Sequence, residues 1–258
     1  MIQQTLEYLK AMHLSVMEGE YRRQSELGAW RELSFEEKLS LLVDAEWLER
    51  KNKRLHRLLR AACLREPLAC LEELDYSGSR GLEKARVARL SDCAWIREGR
   101  HLLITGACGT GKTYLGSAFA NAACRMGYTV KCFRVSRLLV DLQTGRGDGS
   151  WSKILAELKK PELLVLDDFG LEGLQNIHCR DFLEVVDDRT PSKSLLITSQ
   201  HPISSWHGVF ADPTIADAVL DRLLHRAIRF ELKGPSKRNE KNLSETEETK
   251  NNVKTKDG

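Results

Sequence analysis

Gly106-Ala107-Cys108-Gly109-Thr110-Gly111-Lys112-Thr113 is the stretch on which the fold turns. It matches G-x-x-x-x-G-K-[ST], the pattern of a loop that cradles phosphate with its backbone. The context is the one that loop requires. His101-Leu102-Leu103-Ile104-Thr105 before it is apolar and reads as a buried strand, and Lys112 to Met126 after it reads as a helix with an apolar face. Glycines let successive N–H groups turn inward on phosphate oxygens, and the helix N-terminus adds its partial positive charge. Gly106, Ala107, Cys108, Gly109, Thr110 and Gly111 are therefore the candidate cradle. Lys112 reaches for the β- and γ-phosphates, and the Thr113 hydroxyl is placed for Mg²⁺.

A second segment completes such a site. Leu163-Leu164-Val165-Leu166-Asp167-Asp168 is four aliphatics ending on two carboxylates. In an open parallel sheet, ligands gather at the carboxyl ends of strands, so Asp167 belongs beside the metal bound by Thr113. Asp168 is positioned to orient or deprotonate an attacking water. Ser194-Leu195-Leu196-Ile197-Thr198-Ser199-Gln200 is another buried strand with a polar end, where Ser199 and its neighbours either sense the γ-phosphate or merely cap the strand. Arg222 falls on a helix over 216–223. It is either a finger that stabilises charge on a transferring phosphoryl group in a neighbouring subunit or one half of a surface ion pair.

From about residue 98, strands and helices alternate, the signature of an α/β fold with a parallel sheet. Strands are expected at 101–105, 128–134, 162–167, 194–199 and 227–232. Residues 1–96 read as a small all-helical domain, 97–233 as the phosphate-loop domain and 234–258 as a disordered polar tail. Ser34-Phe35-Glu36-Glu37 is a capping box opening a helix that carries Phe35, Leu39, Leu42, Val43 and Trp47 at helical spacing. That helix runs into a cationic block of Arg50, Lys51, Lys53, Arg54, Arg57 and Arg60, which suits a phosphate backbone or a solvated face. Pro67 marks a break, and Ser77-Gly78-Ser79-Arg80-Gly81 a loop. Gln143 to Ser150 is glycine-rich and is expected to be a mobile surface loop.

Composition narrows the class further. The 258 residues carry a formal charge of +3, weak evidence for a polyanionic partner. Seven cysteines, an odd number with no C-x-x-C pair, fit reduced thiols and argue against a disulfide framework or a zinc site. Cys108 lies in the phosphate loop, where it reads as a small neutral filler first and as a thiol whose oxidation blocks nucleotide second. The N-terminus lacks the pattern of a signal peptide, and no stretch has the length of a transmembrane helix. A cytoplasmic protein with no membrane association is expected.

Together, Gly106–Thr113, Leu163 to Gly170 (LLVLDDFG), Ser194–Gln200 (SLLITSQ), Ala216 to Gly234 (ADAVLDRLLHRAIRFELKG) and Trp30 to Leu64 resemble the IstB class of insertion-sequence ATPases. These are relatives of the DnaC-type helicase loaders in the AAA+ group, and the resemblance spans nearly the whole chain apart from the tail. It implies a P-loop NTPase fold of AAA+/RecA-like kind without a C-terminal lid. It also implies ATP and Mg²⁺ on Lys112, Thr113 and Asp167, Asp168 where many AAA+ proteins place a catalytic Glu, Thr198–Gln200 as first sensor, and Arg222 as finger in trans. The partners implied are double-stranded DNA, further copies of the chain in a homo-oligomer, and a transposase of the same element. Asp168 is one methylene shorter than Glu, so slow hydrolysis suited to a switch is expected. Two other classes compete: a replicative helicase loader, and a small-molecule phosphotransferase, for which Arg146 in the glycine-rich segment is the one hint of a lid.

Overall fold

The computed structural model describes residues 2–76, 80–190 and 192–236. Residues 237–258 of the expected disordered tail and the centre of the 77–81 loop lie outside those residues. Two compact units divide between Arg57 and Leu58.

The first unit is helical. Helices α1 (Ile2–Ala11) and α2 (Ser15–Ser25) precede a 3-10 turn at Gly28–Glu32 and the long α3 (Phe35–Ala62), which continues past the unit boundary. The capping box forms as expected: Glu37 N–H donates to Ser34 Oγ at 3.2 Å, and Ser34 N–H to Glu37 Oε2 at 2.8 Å. Helix α2 lacks a side-chain cap from its own N-cap residue, Leu14. Glu46 of α3 supplies one instead, its Oε2 accepting the Val16 and Met17 N–H groups at 3.1 and 3.0 Å. An anion at a helix N-terminus also meets the positive end of the macrodipole.

The second unit holds α4 (Lys84–Leu90), α5 (Ala94–Arg97), then β1 (Leu102–Gly106), α6 (Lys112–Arg125), β2 (Val130–Arg134), α7 (Val135–Asp148), α8 (Trp151–Lys159), β3 (Leu163–Phe169), α9 (Asn176–Asp187), β4 (Ser194–Ser199), α10 (Pro213–Leu224) and β5 (Ile228–Leu232). The five strands form one parallel sheet in the order β2-β3-β4-β1-β5, flanked by helices. Every expected strand is present, within two residues of its expected limits. Among the described residues no strand precedes Leu102. β1, β3 and β4 are apolar runs and not alternating ones because both sheet faces are covered; Leu102, Leu103, Ile104, Leu163, Leu164, Leu195, Leu196 and Ile197 are fully buried. Each such side chain contributes roughly 1.5–3 kcal/mol by leaving water.

One expectation fails. Gln143–Ser150 is not a mobile loop, since α7 continues to Asp148. Leu138, Leu139 and Leu142 bury one face of this helix. Gly145 is there for close packing: a Cβ on it would stand 2.8 Å from Ile154 Cδ1 and 3.0 Å from the Trp151 backbone N on α8. Arg146, the hint of a lid, has its guanidinium on the buried Asp181 carboxylate and stacked over the Trp151 ring at 4.5 Å. Composition suggested flexibility where the glycine served contact.

Candidate functional site

The order of strands brings the site together. β4 lies between β1 and β3, so the polar end of β4 falls between the phosphate loop that follows β1 and the carboxylates that end β3. Helix α6 begins at Lys112 on a left-handed N-cap, Gly111 at φ +90°, a conformation an L side chain resists. The start of α6 has no acid in its first turn, which leaves its N-terminal N–H groups for an anion. Lys112 Nζ donates to Ala107 O at 2.7 Å, closing the loop on itself. A cavity of about 420 Å³ opens over this loop. Cys108, Gly109, Gly111, Lys112, Thr113, Asp168 and Gln200 line it, together with the charged Glu66, Glu73, Asp75 and Arg80 and the apolar Leu74, Leu82, Leu115 and Leu232.

Asp167 is 2 % exposed and surrounded by donors. Thr113 Oγ1 stands 3.1 Å from its Oδ1, the Thr198 hydroxyl donates to the same oxygen, and Arg65 Nη1 donates to Oδ2 at 2.8 Å. Asp168 sits in the left-handed region at φ +62°. The cause is a β-bulge: Leu166 pairs with Ile197 and Phe169 with Ser199, so two residues, Asp167 and Asp168, oppose the single Thr198. Thr198 Oγ1 accepts the Asp168 N–H at 3.0 Å and holds the bulge in place. Phe169 anchors its far side, with its ring 5.1 Å from Phe182 and 4.9 Å from Trp206. Strain of this kind collects at functional sites. Here it lets one guanidinium touch two adjacent carboxylates, because Arg65 Nη1 is also 2.9 Å from Asp168 Oδ2, and Arg134 Nε is 3.3 Å from that oxygen. Burial works against the Arg65 charge, but Asp167 and Asp168 outweigh it and hold the guanidinium above its ordinary value.

The donor set fits Mg²⁺. A hydroxyl and a carboxylate 3.1 Å apart beside a phosphate cradle are hard oxygen ligands, and this ion takes few protein ligands together with substrate phosphates. Among the described residues no group of three or more His, Cys, Asp or Glu forms a self-sufficient metal cage.

Ser199 is turned away from the cradle: its hydroxyl donates to Phe169 O at 2.7 Å and accepts the His201 N–H at 3.1 Å. Thr198 has the Asp167 contact in its stead. Arg222 is ion-paired with Asp187 of α9 and donates to Ala218 O at 2.7 Å. In the cationic block of α3, Arg50 binds Glu46 and the His13 carbonyl, and Lys53 pairs with Glu49. The Arg50, Lys51, Lys53, Arg54, Arg57 and Arg60 side chains are all exposed. At 100° per residue, all but Lys51 share an arc of about 120°.

Two arginines escaped the sequence reading. Arg65 follows α3, whose end is turned by Cys63 at φ +53° and capped by Lys131 Nζ on Ala61 O. Arg80, only 11 % exposed, donates to Thr110 O at 2.6 Å and clamps the phosphate loop from the segment before α4. Neither carries a motif; only a basic residue two positions before Pro67 and one before Gly81 marked them.

Fold and site define an ATP-binding protein with a P-loop NTPase fold. The crystal structure of DnaI superposes with a TM-score of 0.57 at 21% identity, over 69% of this chain and 94% of that one, and shows the same fold. The chain belongs to the family of IstB-like ATP binding proteins, whose model matches residues 7–245. A Sinorhizobium fredii protein named as an insertion sequence ATP-binding protein is 40% identical over 93% of this chain and 98% of its own length. A Pseudomonas fluorescens protein, named as the ATP-binding protein of the insertion sequence IS1162, is 42% identical over 80% of this chain and 89% of its own. No helix among the described residues is long and apolar enough to cross a membrane.

Proposed function

We propose that this chain is the ATP-dependent helper of an insertion sequence, which assembles as a homo-oligomer on double-stranded DNA and stimulates the transposase of the same element. The reading rests on one observation: a phosphate loop, an acidic strand end and a polar strand end converge within a chain of the insertion-sequence family. Residues 1–96 bind DNA or partner, with Arg50, Lys51, Lys53, Arg54, Arg57 and Arg60 meeting phosphates. Residues 97–233 bind and hydrolyse ATP, with Arg65 and Arg80 reaching into the site from the segment before them.

In this reading the N–H groups from Gly106 to Thr113 and the Lys112 ammonium hold the triphosphate. Thr113 and Asp167 would hold Mg²⁺, which would neutralise charge on the triphosphate. Asp168, aimed by the bulge, orients the attacking water and accepts its proton. Thr198 fixes the positions of both carboxylates, and Gln200 reports the γ-phosphate. Arg222 leaves Asp187 to serve a neighbouring subunit's site. Asp168 carries one methylene less than Glu, and turnover is therefore slow, as suits a protein that holds an assembled state.

The test is direct. ATP with Mg²⁺ should raise affinity for duplex DNA and enlarge the particle seen by sedimentation, and binding should weaken steeply with salt if the six cations contact phosphates. If ATP changes neither affinity nor size, the helper reading is refuted. A helicase loader is the second reading; retention of a replicative helicase, together with a preference for single strands, would establish it.

A further inference from the structure

We propose that Arg65 is an internal cation competing with the divalent metal for Asp167, so that the metal enters only as this guanidinium withdraws. The proposal rests on the nucleotide-and-metal reading above and goes beyond it. Nη1 of Arg65 donates to Asp167 Oδ2 at 2.8 Å and to Asp168 Oδ2 at 2.9 Å. Oδ1 of Asp167 is engaged by Thr113 and Thr198. A carboxylate this deeply buried needs a compensating cation, and Arg65 supplies it. A metal seated between Thr113 and Asp167 delivers two further positive charges to the same carboxylate, so the two cations repel each other.

The structure provides a route for withdrawal. The Arg65 side chain is 42 % exposed. A cavity of about 580 Å³ opens beside it, lined by Arg134, Arg137 and Glu172. Arg65 already borders that space and can turn further into it, towards the Glu172 carboxylate, which it would share with Arg134 and Arg137. Arg134, 3.3 Å from Asp168 Oδ2, continues to hold Asp168 when Arg65 leaves. The outcome is a site that stays neutral and shaped without metal and discriminates against weakly held cations.

The experiment measures Mn²⁺ binding to the full chain without nucleotide, from loss of the free-ion electron paramagnetic resonance signal. Sites that persist in Asp167→Asn are subtracted. Arg65→Gln should bind Mn²⁺ about fivefold more tightly than wild type, the scale of one partly exposed ion pair. Arg65→Lys keeps the charge but cannot bridge both carboxylates, and should fall between the two. Equal or weaker binding in Arg65→Gln, with an unchanged circular dichroism spectrum, overturns the competition and leaves the metal reading standing. If Arg65→Gln does not fold, Arg65→Lys decides: tighter binding than wild type supports the competition, and equal or weaker binding overturns it. Absence of any Asp167-dependent Mn²⁺ binding in wild type and variants overturns the competition, and the nucleotide-and-metal reading falls with it only if Asp167-dependent Mn²⁺ binding is also absent when a non-hydrolysable ATP analogue is present.

Discussion

Thr198→Val tests the geometry of the acidic bulge most sharply, because the two side chains are nearly the same shape and differ by one hydroxyl. That hydroxyl is fully buried, donates to Asp167 Oδ1 and accepts the Asp168 N–H at 3.0 Å. Removing it orphans a buried N–H, at about 1–3 kcal/mol, and takes a donor from a buried carboxylate, worth about 1.5–3 kcal/mol. The extra apolar contact of valine offsets part of this, leaving a net loss of about 3 kcal/mol. For a unit of this size that lowers Tm by roughly 6–12 °C. Urea unfolding of the full chain, followed by circular dichroism, measures the loss, and steady-state phosphate release measures the site. Hydrolysis should fall at least tenfold while ATP binding stays within about threefold, since the cradle is untouched. In Ser199→Ala, hydrolysis at saturating ATP should change less than about threefold, because that hydroxyl serves Phe169 O and His201 N–H. A Thr198→Val protein within about 1 kcal/mol of wild type with normal turnover would refute the reasoning, since the bulge would then stand without its hydroxyl.

Three further outcomes are expected. Lys112→Ala should abolish ATP binding in calorimetry and leave the circular dichroism spectrum unchanged, because the ammonium that meets the phosphates closes its own loop on Ala107 O. Arg222→Ala should spare ATP binding yet stop hydrolysis in the assembled state, and the lost pair with Asp187, about one-third exposed, should cost under about 1 kcal/mol; normal hydrolysis would move the finger to Arg226 or Arg229. His101 has its pKa pushed down to about 4, first by burial and then by the nearby Arg189 charge, and its Nδ1 accepts the Leu195 N–H. A base whose folded value lies below its unfolded value of about 6.5 is fully stabilising above that value and loses its contribution as pH falls towards 4. Urea midpoints should therefore report about 2 kcal/mol less stability at pH 5 than at pH 7.5, a loss largely absent in His101→Gln.

How much was legible follows from where each signal resides. The phosphate loop is contiguous, and its glycines and its lysine were readable because one backbone turn contains the whole chemistry. The parallel sheet was readable because strands buried on both faces need unbroken apolar runs, as Leu102–Ile104, Leu163–Leu166 and Leu195–Ile197 have. The 143–150 segment was misread because glycine supports looseness and tight helix contact alike; the Ile154 and Trp151 atoms beside Gly145 decided for contact. Ser199 and Thr198 could not be told apart from adjacency, because a one-residue bulge in β3 selects which hydroxyl faces the carboxylates.

The chain's order of residues alone determined the ligand class, the strands and the cationic stretch of α3, since each depends on neighbours within a few positions. Tertiary structure alone decided that Arg65 reaches across 102 positions to Asp167, that Arg80 clamps Thr110, and that Arg222 lies on Asp187. Charges attract through space without regard to separation along the chain. Only the placement of β4 between β1 and β3, and the bulge it faces, determines which of them meet.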